Sequence, residues 1–587
     1  MNRLYYPVFL ASLALAGCGS DSDSSSPQDT EQPEVFNITP ADQSNVSSAA
    51  ITIEGNMTDN EAIRSVSVLY GGQTMAAAFD GDRFSADLTL TEGENRVEIT
   101  ATDTAGNTYT DIRTIVLDTQ PPELTFVFPS SGHATQAVTT TVRIDAADNQ
   151  SVASVSVVMD DQTVIAEEVD GQYLARMVMV PGSNSYQVTA TDMAGNSTSA
   201  THTAYLGKQV MGGNAHSGAI RPDGTYTWGR NNYGQTGLGF VSDPSKDLNI
   251  DEHPFAPLRM TVEPSFISLA FGQNTSAALA DDGTVWTWGN GGDGQLGQGL
   301  TGSDTLNEDD SSIPLQVIGI TDAVAVTRGY NQTLVLHQDG TVSAFGNNRY
   351  GQLGDGTTAD RDIAVKPNVS NIVQIASGAS FSLAVDRDGR VWSWGQNNSG
   401  QLGLGTEDTD AHPTPMEVSI NEPIEAVVAG KSHVLAIARS GVVYGWGLNY
   451  SSQIGLYDSD NEDPEWPREV TSPKKLPWFD DAVAVWANGN QSFAERQDGL
   501  VYPWGQNMLG TLGLEQDGDV TFPSSSVFGF DQVVDLGNGA LHTIGMRQDG
   551  SVFSWGWSFQ GSLGGGDGTI DRWTYRVPTL VMSSIQP

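Results

Sequence analysis

Residues 378–403 read G-A-S-F-S-L-A-V-D-R-D-G-R-V-W-S-W-G-Q-N-N-S-G-Q-L-G. Asp388-Gly389 sits between two short apolar runs, Leu383-Ala384-Val385 and Val391-Trp392-Ser393-Trp394. Asp-Gly in that setting is the strongest short hairpin signal, because a type I′ turn needs positive φ at its central residues. Both runs are β-rich and too short for helices. The cassette recurs, seven copies in all, between Gly213 and Gly566. Its hairpin glycine returns at Gly224, Gly283, Gly340, Gly441, Gly499 and Gly550. Its W-G pair returns at Trp228, Trp288, Trp446, Trp504 and Trp555, with Phe345-Gly346 in the third copy. Recurrence at a period of about fifty residues marks a stacked or radial array of one supersecondary unit.

Two further strands complete each unit. An apolar run precedes each cassette glycine, as in Ile372 to Ile375, Ile424 to Val428 and Val533 to Leu536. Another run, led by a proline, follows the cassette at Pro257-Leu258-Arg259-Met260, Pro314 to Val317 and Pro415 to Val418. Proline at a strand start suits an edge strand. Four strands in each of seven units predict an all-β seven-bladed propeller. The first unit opens at Gln209-Val210-Met211 with no proline-led strand before it, and an extra strand, Val577 to Val581, follows the last. The tail strand is therefore expected to complete the first blade and close the ring.

The repeated W-G-x-N-x-x-G-Q-L-G with its upstream D-G resembles the repeats of the regulator of chromosome condensation family, over residues 208–587. The resemblance is specific for fold and weak for function, since one propeller hosts unrelated activities. Copy 1 is a residue short between Asp223 and Trp228, and copy 5 has Ser440 for the aspartate and Ser452 for the loop glycine. Copies 2 and 7 replace the motif asparagine with Gly291 and Ser558, and copies 6 and 7 replace the glutamine with Thr511 and Ser562. The motif residues read as structural: glycines for close approach, tryptophans between blades, Asn and Gln for loop backbone groups.

The front third has its own organisation. A charged start, an apolar stretch from Val8 to Ala16 and then Leu15-Ala16-Gly17-Cys18 describe a secretory signal over residues 1–17. Leu-Ala-Gly-Cys resembles the bacterial lipoprotein cleavage box, which implies lipidation of Cys18. Gly19 after it implies, by the same analogy, sorting to the outer membrane. Cys18 is the only cysteine in the chain, so no intramolecular disulfide exists. Residues 18–33, rich in Ser, Asp and Gln, read as a flexible tether. Two modules follow, 34–118 and 119–207, related by a constant offset of 89 residues: Asp59-Asn60 matches Asp148-Asn149, and Ala101 to Asn107 matches Ala190 to Asn196. Their alternating strands predict β-sandwiches. The A-T-D-x-A-G-N ending and the junction Leu117 to Pro122 resemble bacterial immunoglobulin-like domains of surface proteins. Asp59, Asp103 and Asp118 either hold turns, the commoner role, or bind calcium at the module junction; no other cofactor is expected.

With 27 basic against 71 acidic residues, a formal charge of −44, the chain repels phosphate backbones, and no basic patch is visible. Nucleic-acid binding is thereby disfavoured. Much of the acid lies in inserts between the G-Q-L-G loop and the next proline-led strand: Asp243 to Glu252, Asp304 to Asp310, Glu407 to Asp410 and Asp458 to Glu465. In an antiparallel blade alternate connections lie on opposite faces. The inserts therefore share a face with the turns after each cassette glycine, and the D-G hairpins occupy the other. This insert face, with its varied lengths, is the expected partner-binding surface, and His216, Tyr330, Phe381, His433, Asn490 and His542 on its turns are the candidate anchors.

The eight histidines show no H-E-x-x-H spacing, and no G-x-S-x-G elbow or phosphate-cradling loop occurs. The expectation is a non-enzymatic, monomeric lipid-anchored envelope protein, a sandwich stalk presenting a propeller to a protein or a glycan. Two alternatives stand beside it. One is a regulator or inhibitor of an extracytoplasmic enzyme, since similar propellers include a nucleotide exchange factor and a secreted β-lactamase inhibitor. The other is a carbohydrate-active enzyme using acids of the insert face.

Overall fold

A computed structural model describes residues 29–242, 253–261, 265–299, 309–456, 468–565 and 574–584. The expected signal segment and Cys18 lie outside these residues, as do the inserts at 243–252 and 458–465 and most of that at 304–310. The chain forms two compact bodies. One contains the first sandwich together with the loops 148–151 and 192–196; the other contains the rest of the second sandwich and the propeller.

The first sandwich packs a four-stranded sheet, including Ala50–Thr58 and Arg83–Thr89, against a five-stranded one, including Gly93–Asp103 and Thr108–Leu117. Strand Gly93–Asp103 buries alternate residues, so Val97, Ile99 and Ala101 enter the core with Ile53 and Val68. The second sandwich repeats this strand order, with Val142, Ile144, Val157 and Val188 as the matching core. The expected tether ends earlier than its composition indicates. Asp29 already accepts a hydrogen bond from Asn60 Nδ2 (3.0 Å), and its carbonyl accepts one from Asn107 Nδ2 (3.2 Å).

From Val210 onward seven sheets follow in chain order, six with four strands and the sixth with three among the described residues. Every blade runs antiparallel from its innermost strand outward, as in Ile372–Ser377, Phe381–Asp386, Val391–Gly395 and His412–Val418.

Ring closure differs from the sequence expectation. Leu258–Arg259 supplies the fourth strand of the first blade, pairing with Tyr226 and Thr227. The tail strand Thr574–Met582 pairs instead with Val552–Trp557 of the seventh blade. Each blade is thus built from consecutive strands, and the ring closes by packing. Strand Val210–Gly212 lies against the seventh blade. There Lys208 Nζ meets Asp535 Oδ1 at 2.5 Å, while the amides of Gln209 and Val210 donate to Asp535 Oδ2.

The second sandwich sits on the propeller face that carries the D-G hairpins. Thr141 donates its amide (2.7 Å) and hydroxyl (2.9 Å) to Glu425. Arg143 reaches the Ala438 carbonyl, Arg176 the Arg387 carbonyl, and Tyr205 the Ile267 carbonyl. Those acceptors lie at hairpins or at the starts of inner strands. The second sandwich is therefore an integral part of the propeller body, which corrects the expectation of two equivalent stalk modules.

Candidate interaction face of the propeller

The ring is held by one contact repeated between blades. The W-G indole donates Nε1–H to the carbonyl at the G-Q-L-G glutamine position of the preceding blade. Trp288 reaches Gln235 (2.9 Å), Trp394 Gln352 (2.9 Å), Trp446 Gln401 (3.0 Å), Trp504 Gln453 (3.0 Å) and Trp555 Thr511 (3.0 Å). Trp228 of the first blade reaches Ser562 of the seventh (3.0 Å), so closure uses the same bond. The acceptor is a backbone carbonyl, which explains why Thr511 and Ser562 serve as well as glutamine. Phe345 cannot donate, and in its blade the Arg328 guanidinium takes the Gln295 carbonyl (3.2 Å) and Thr333 Oγ1 (2.6 Å) instead.

A second contact runs the other way. His216 Nε2 meets Ser276 Oγ of the next blade (2.9 Å), His433 meets Ser492 (2.9 Å) and His542 meets Ser217 (2.8 Å). Each serine gives its own proton to a backbone carbonyl of the histidine's blade: Ser276 to Gln235, Ser492 to Gln453 and Ser217 to Ser562. The histidine must therefore donate from Nε2 and is neutral. Burial holds His216 and His433 down to about 3 and His542 to about 4. The ring folds back over its cassette glycine, where any Cβ at Gly213, Gly430 or Gly539 would overlap the imidazole. This close approach is the reason for glycine three residues before these histidines.

The candidate anchors therefore divide. His216, Phe381, His433 and His542 are buried and join blades, because the chain turns their rings inward between sheets rather than toward solvent. Tyr330, 38 % exposed, and Asn490 reach an axial cavity of about 360 Å³ walled by the glycine turns.

Residues 302–586 match the family of RCC1-like domains, and residues 266–295 match the regulator of chromosome condensation (RCC1) repeat. The propeller is an RCC1-like repeat domain. Residues 33–119 and 122–207 each match glucodextranase domain B, an immunoglobulin-like fold. The ultraviolet-B receptor UVR8 of Arabidopsis thaliana is 28 % identical over 329 residues, covering 55 % of this chain and 59 % of that protein. The X-linked retinitis pigmentosa GTPase regulator homolog of Caenorhabditis elegans is 28 % identical over 329 residues, covering 49 % of this chain and 22 % of its own length. The chain thus spans less than two-thirds of the length of these relatives. Yeast RCC1 (Prp20), solved bound to Kap60, superposes with a TM-score of 0.52 at 24 % identity, covering 61 % of this chain and 83 % of that one.

On the RCC1-like domain the insert face carries groups that the sequence reading missed. Arg230 lies over Tyr233 (5.9 Å), Arg349 over Tyr350 (5.7 Å) and Arg468 over Tyr450 (5.7 Å), in the first, third and fifth blades. Tyr450 is 73 % exposed, and Phe240, Met508 and Phe559 are exposed on neighbouring loops. Tyr233, Tyr350 and Tyr450 occupy the x positions of N-x-x-G, the places in the motif that packing leaves free. That freedom was the signal available in the sequence. The acid that is described on this face has structural work. Asp310 accepts from the Gly291 amide (3.0 Å) where copy 2 lacks the motif asparagine, and Asp408 accepts from Asn397 Nδ2 (3.1 Å) and pairs with His412 (2.8 Å).

The acidic calcium candidates do not form one site. Asp59 and Asp103 come together with Asp29, while Asp118 joins Asp148 and Asp192.

Proposed function

We propose that this chain is an exported envelope protein, anchored through a lipidated Cys18, whose RCC1-like domain binds another protein through the insert face. The supporting observation is an asymmetry of faces: the second sandwich occupies the hairpin face, whereas the insert face displays stacked Arg–Tyr pairs, residue types that dominate interface energetics. RCC1-like relatives that carry receptor and GTPase-regulator names support an interaction or regulatory role over a catalytic one. The net charge of −44 favours a partner other than nucleic acid. Anchoring is tested by metabolic labelling with palmitate: label and membrane association are expected for the native chain and lost in Cys18→Ser.

A glycan partner, or an accessory role beside a carbohydrate-active enzyme, is the second reading, and the match of both sandwiches to glucodextranase domain B favours it. Glycan-array binding by the full chain separates the two. Retention of a glycan that survives Tyr233→Ala/Tyr350→Ala/Tyr450→Ala would assign binding to the sandwiches.

A further inference from the structure

We propose that the first body binds two calcium ions, one held by Asp29, Asp59 and Asp103 and the other by Asp118, Asp148 and Asp192. The triads are copies of each other: each member of the second stands 89 residues after its counterpart in the first. In each triad one carboxylate oxygen from every residue lies within 4.8 Å of the others. The loops carrying Asp148 and Asp192 belong to the same compact body as Asp118.

The decisive feature is a set of buried oxygens with no donor. Asp29 Oδ2 and Asp59 Oδ1 have no hydrogen-bond partner, and neither do the equivalent Asp118 Oδ2 and Asp148 Oδ1. Asp118 is only 1 % exposed, so its bare oxygen is cut off from water as well. An unpaired buried carboxylate oxygen is costly, and three carboxylates at this spacing repel one another unless a cation lies among them. The remaining oxygens are held in place. Asp103 Oδ1 accepts from the amides of Gly106 (2.5 Å) and Asn107 (2.8 Å), and Asp192 Oδ1 from those of Ala194 (2.8 Å) and Asn196 (2.9 Å). Asn107 and Asn196 each brace the second oxygen through Nδ2, at 2.7 and 2.8 Å. The A-T-D-x-A-G-N segment thus fixes one ligand of each triad and leaves the oxygens of its neighbours bare.

All-oxygen donors select a hard cation. Calcium takes about six to eight oxygens at about 2.3–2.6 Å, carboxylates prominent among them, whereas magnesium keeps several waters and is usually held by one or two carboxylates. Three carboxylates brought within 4.8 Å of one another therefore suit calcium.

The test is calcium titration of the full chain, stripped with EDTA, by calorimetry and native mass spectrometry, with thermal unfolding in parallel. Two bound ions are expected, with one lost in Asp59→Asn, one in Asp148→Asn and both in the double variant, and with no equivalent heat from magnesium. Asparagine can still accept the Gln150 and Ser151 amides that Asp148 Oδ2 now accepts. In EDTA, Asp148→Asn should therefore unfold at or above the native temperature, because repulsion is relieved. No calcium binding at millimolar concentration, binding unchanged in the double variant, or destabilisation of Asp148→Asn in EDTA would each overturn the proposal.

Discussion

Trp394 and Trp446 occupy the same place in neighbouring blades but differ in what their removal exposes. The Gln352 carbonyl accepts from Trp394 and also from Ser382 Oγ (2.8 Å). The Gln401 carbonyl accepts from Trp446, and Val434 stands where the serine would be. The loss of volume on replacement by phenylalanine is the same in both blades, so the carbonyl decides the difference. Trp446→Phe should cost about 1–3 kcal/mol more than Trp394→Phe, the penalty of an unsatisfied buried acceptor, read as a shift in urea midpoint. Titration gives a second prediction at this scale. Burial raises Glu495, beside His133, from 4.5 to about 8. A carboxyl that is protonated in the folded state contributes full stability below pH 4.5, and that contribution is lost as pH rises toward 8. Glu495→Gln should leave stability at pH 4 unchanged and raise it at pH 8, by up to about 1.4 kcal/mol per pH unit across the window. The buried histidines act in the opposite direction. Their folded values near 3 to 4 lie below 6.5, so stability is complete above 6.5 and falls as acid is added. His542→Gln should flatten that acid limb without unfolding the ring, since Gln332 and Gln491 already fill the equivalent place.

At the scale of elements, the blade strands were legible because D-G, W-G and the proline-led run punctuate each one. What was not legible was which sheet a strand joins across a long insert. Leu258–Arg259 and Thr574–Met582 both return to their own blades, and the second is a nine-residue strand. Strand pairing across an insert depends on local register, which order in the chain does not encode. The Phe345 exception shows compensation between elements, with Arg328 in the inner strand replacing an indole two strands away. Phe345→Trp alone should destabilise the third blade, because its larger indole competes with the Arg328 guanidinium for the space at the Gln295 carbonyl. Combined with Arg328→Leu it should recover most of the loss, giving a coupling energy of about 1 kcal/mol or more in a double-mutant cycle. The docking of the second sandwich was invisible in the sequence, since Thr141 and Glu425 lie 284 residues apart. Glu425→Ala removes both of their bonds and should weaken docking by about 1.5–3 kcal/mol, read as faster proteolysis near Gly207.

Across the whole molecule, sheet number, sandwich count and the division of loops between two faces followed from repetition and strand parity alone. The candidate anchors did not follow. Equivalent positions in a repeat are the ones that packing reuses, so His216, His433 and His542 are clamps, while Tyr233, Tyr350 and Tyr450 sit where the motif varies. With one face of the propeller under the second sandwich, the insert face is the proposed surface for partner recognition. The most direct measurement is site-specific photocrosslinking of the full chain in intact cells, with the probe at Tyr233, Tyr350 or Tyr450 and, for comparison, at Arg387 or Gln548 on the hairpin face. One common protein is expected to crosslink from the three tyrosine positions and to be absent from the other two. Crosslinking of that protein from the hairpin face, with none from the tyrosines, would contradict the proposal.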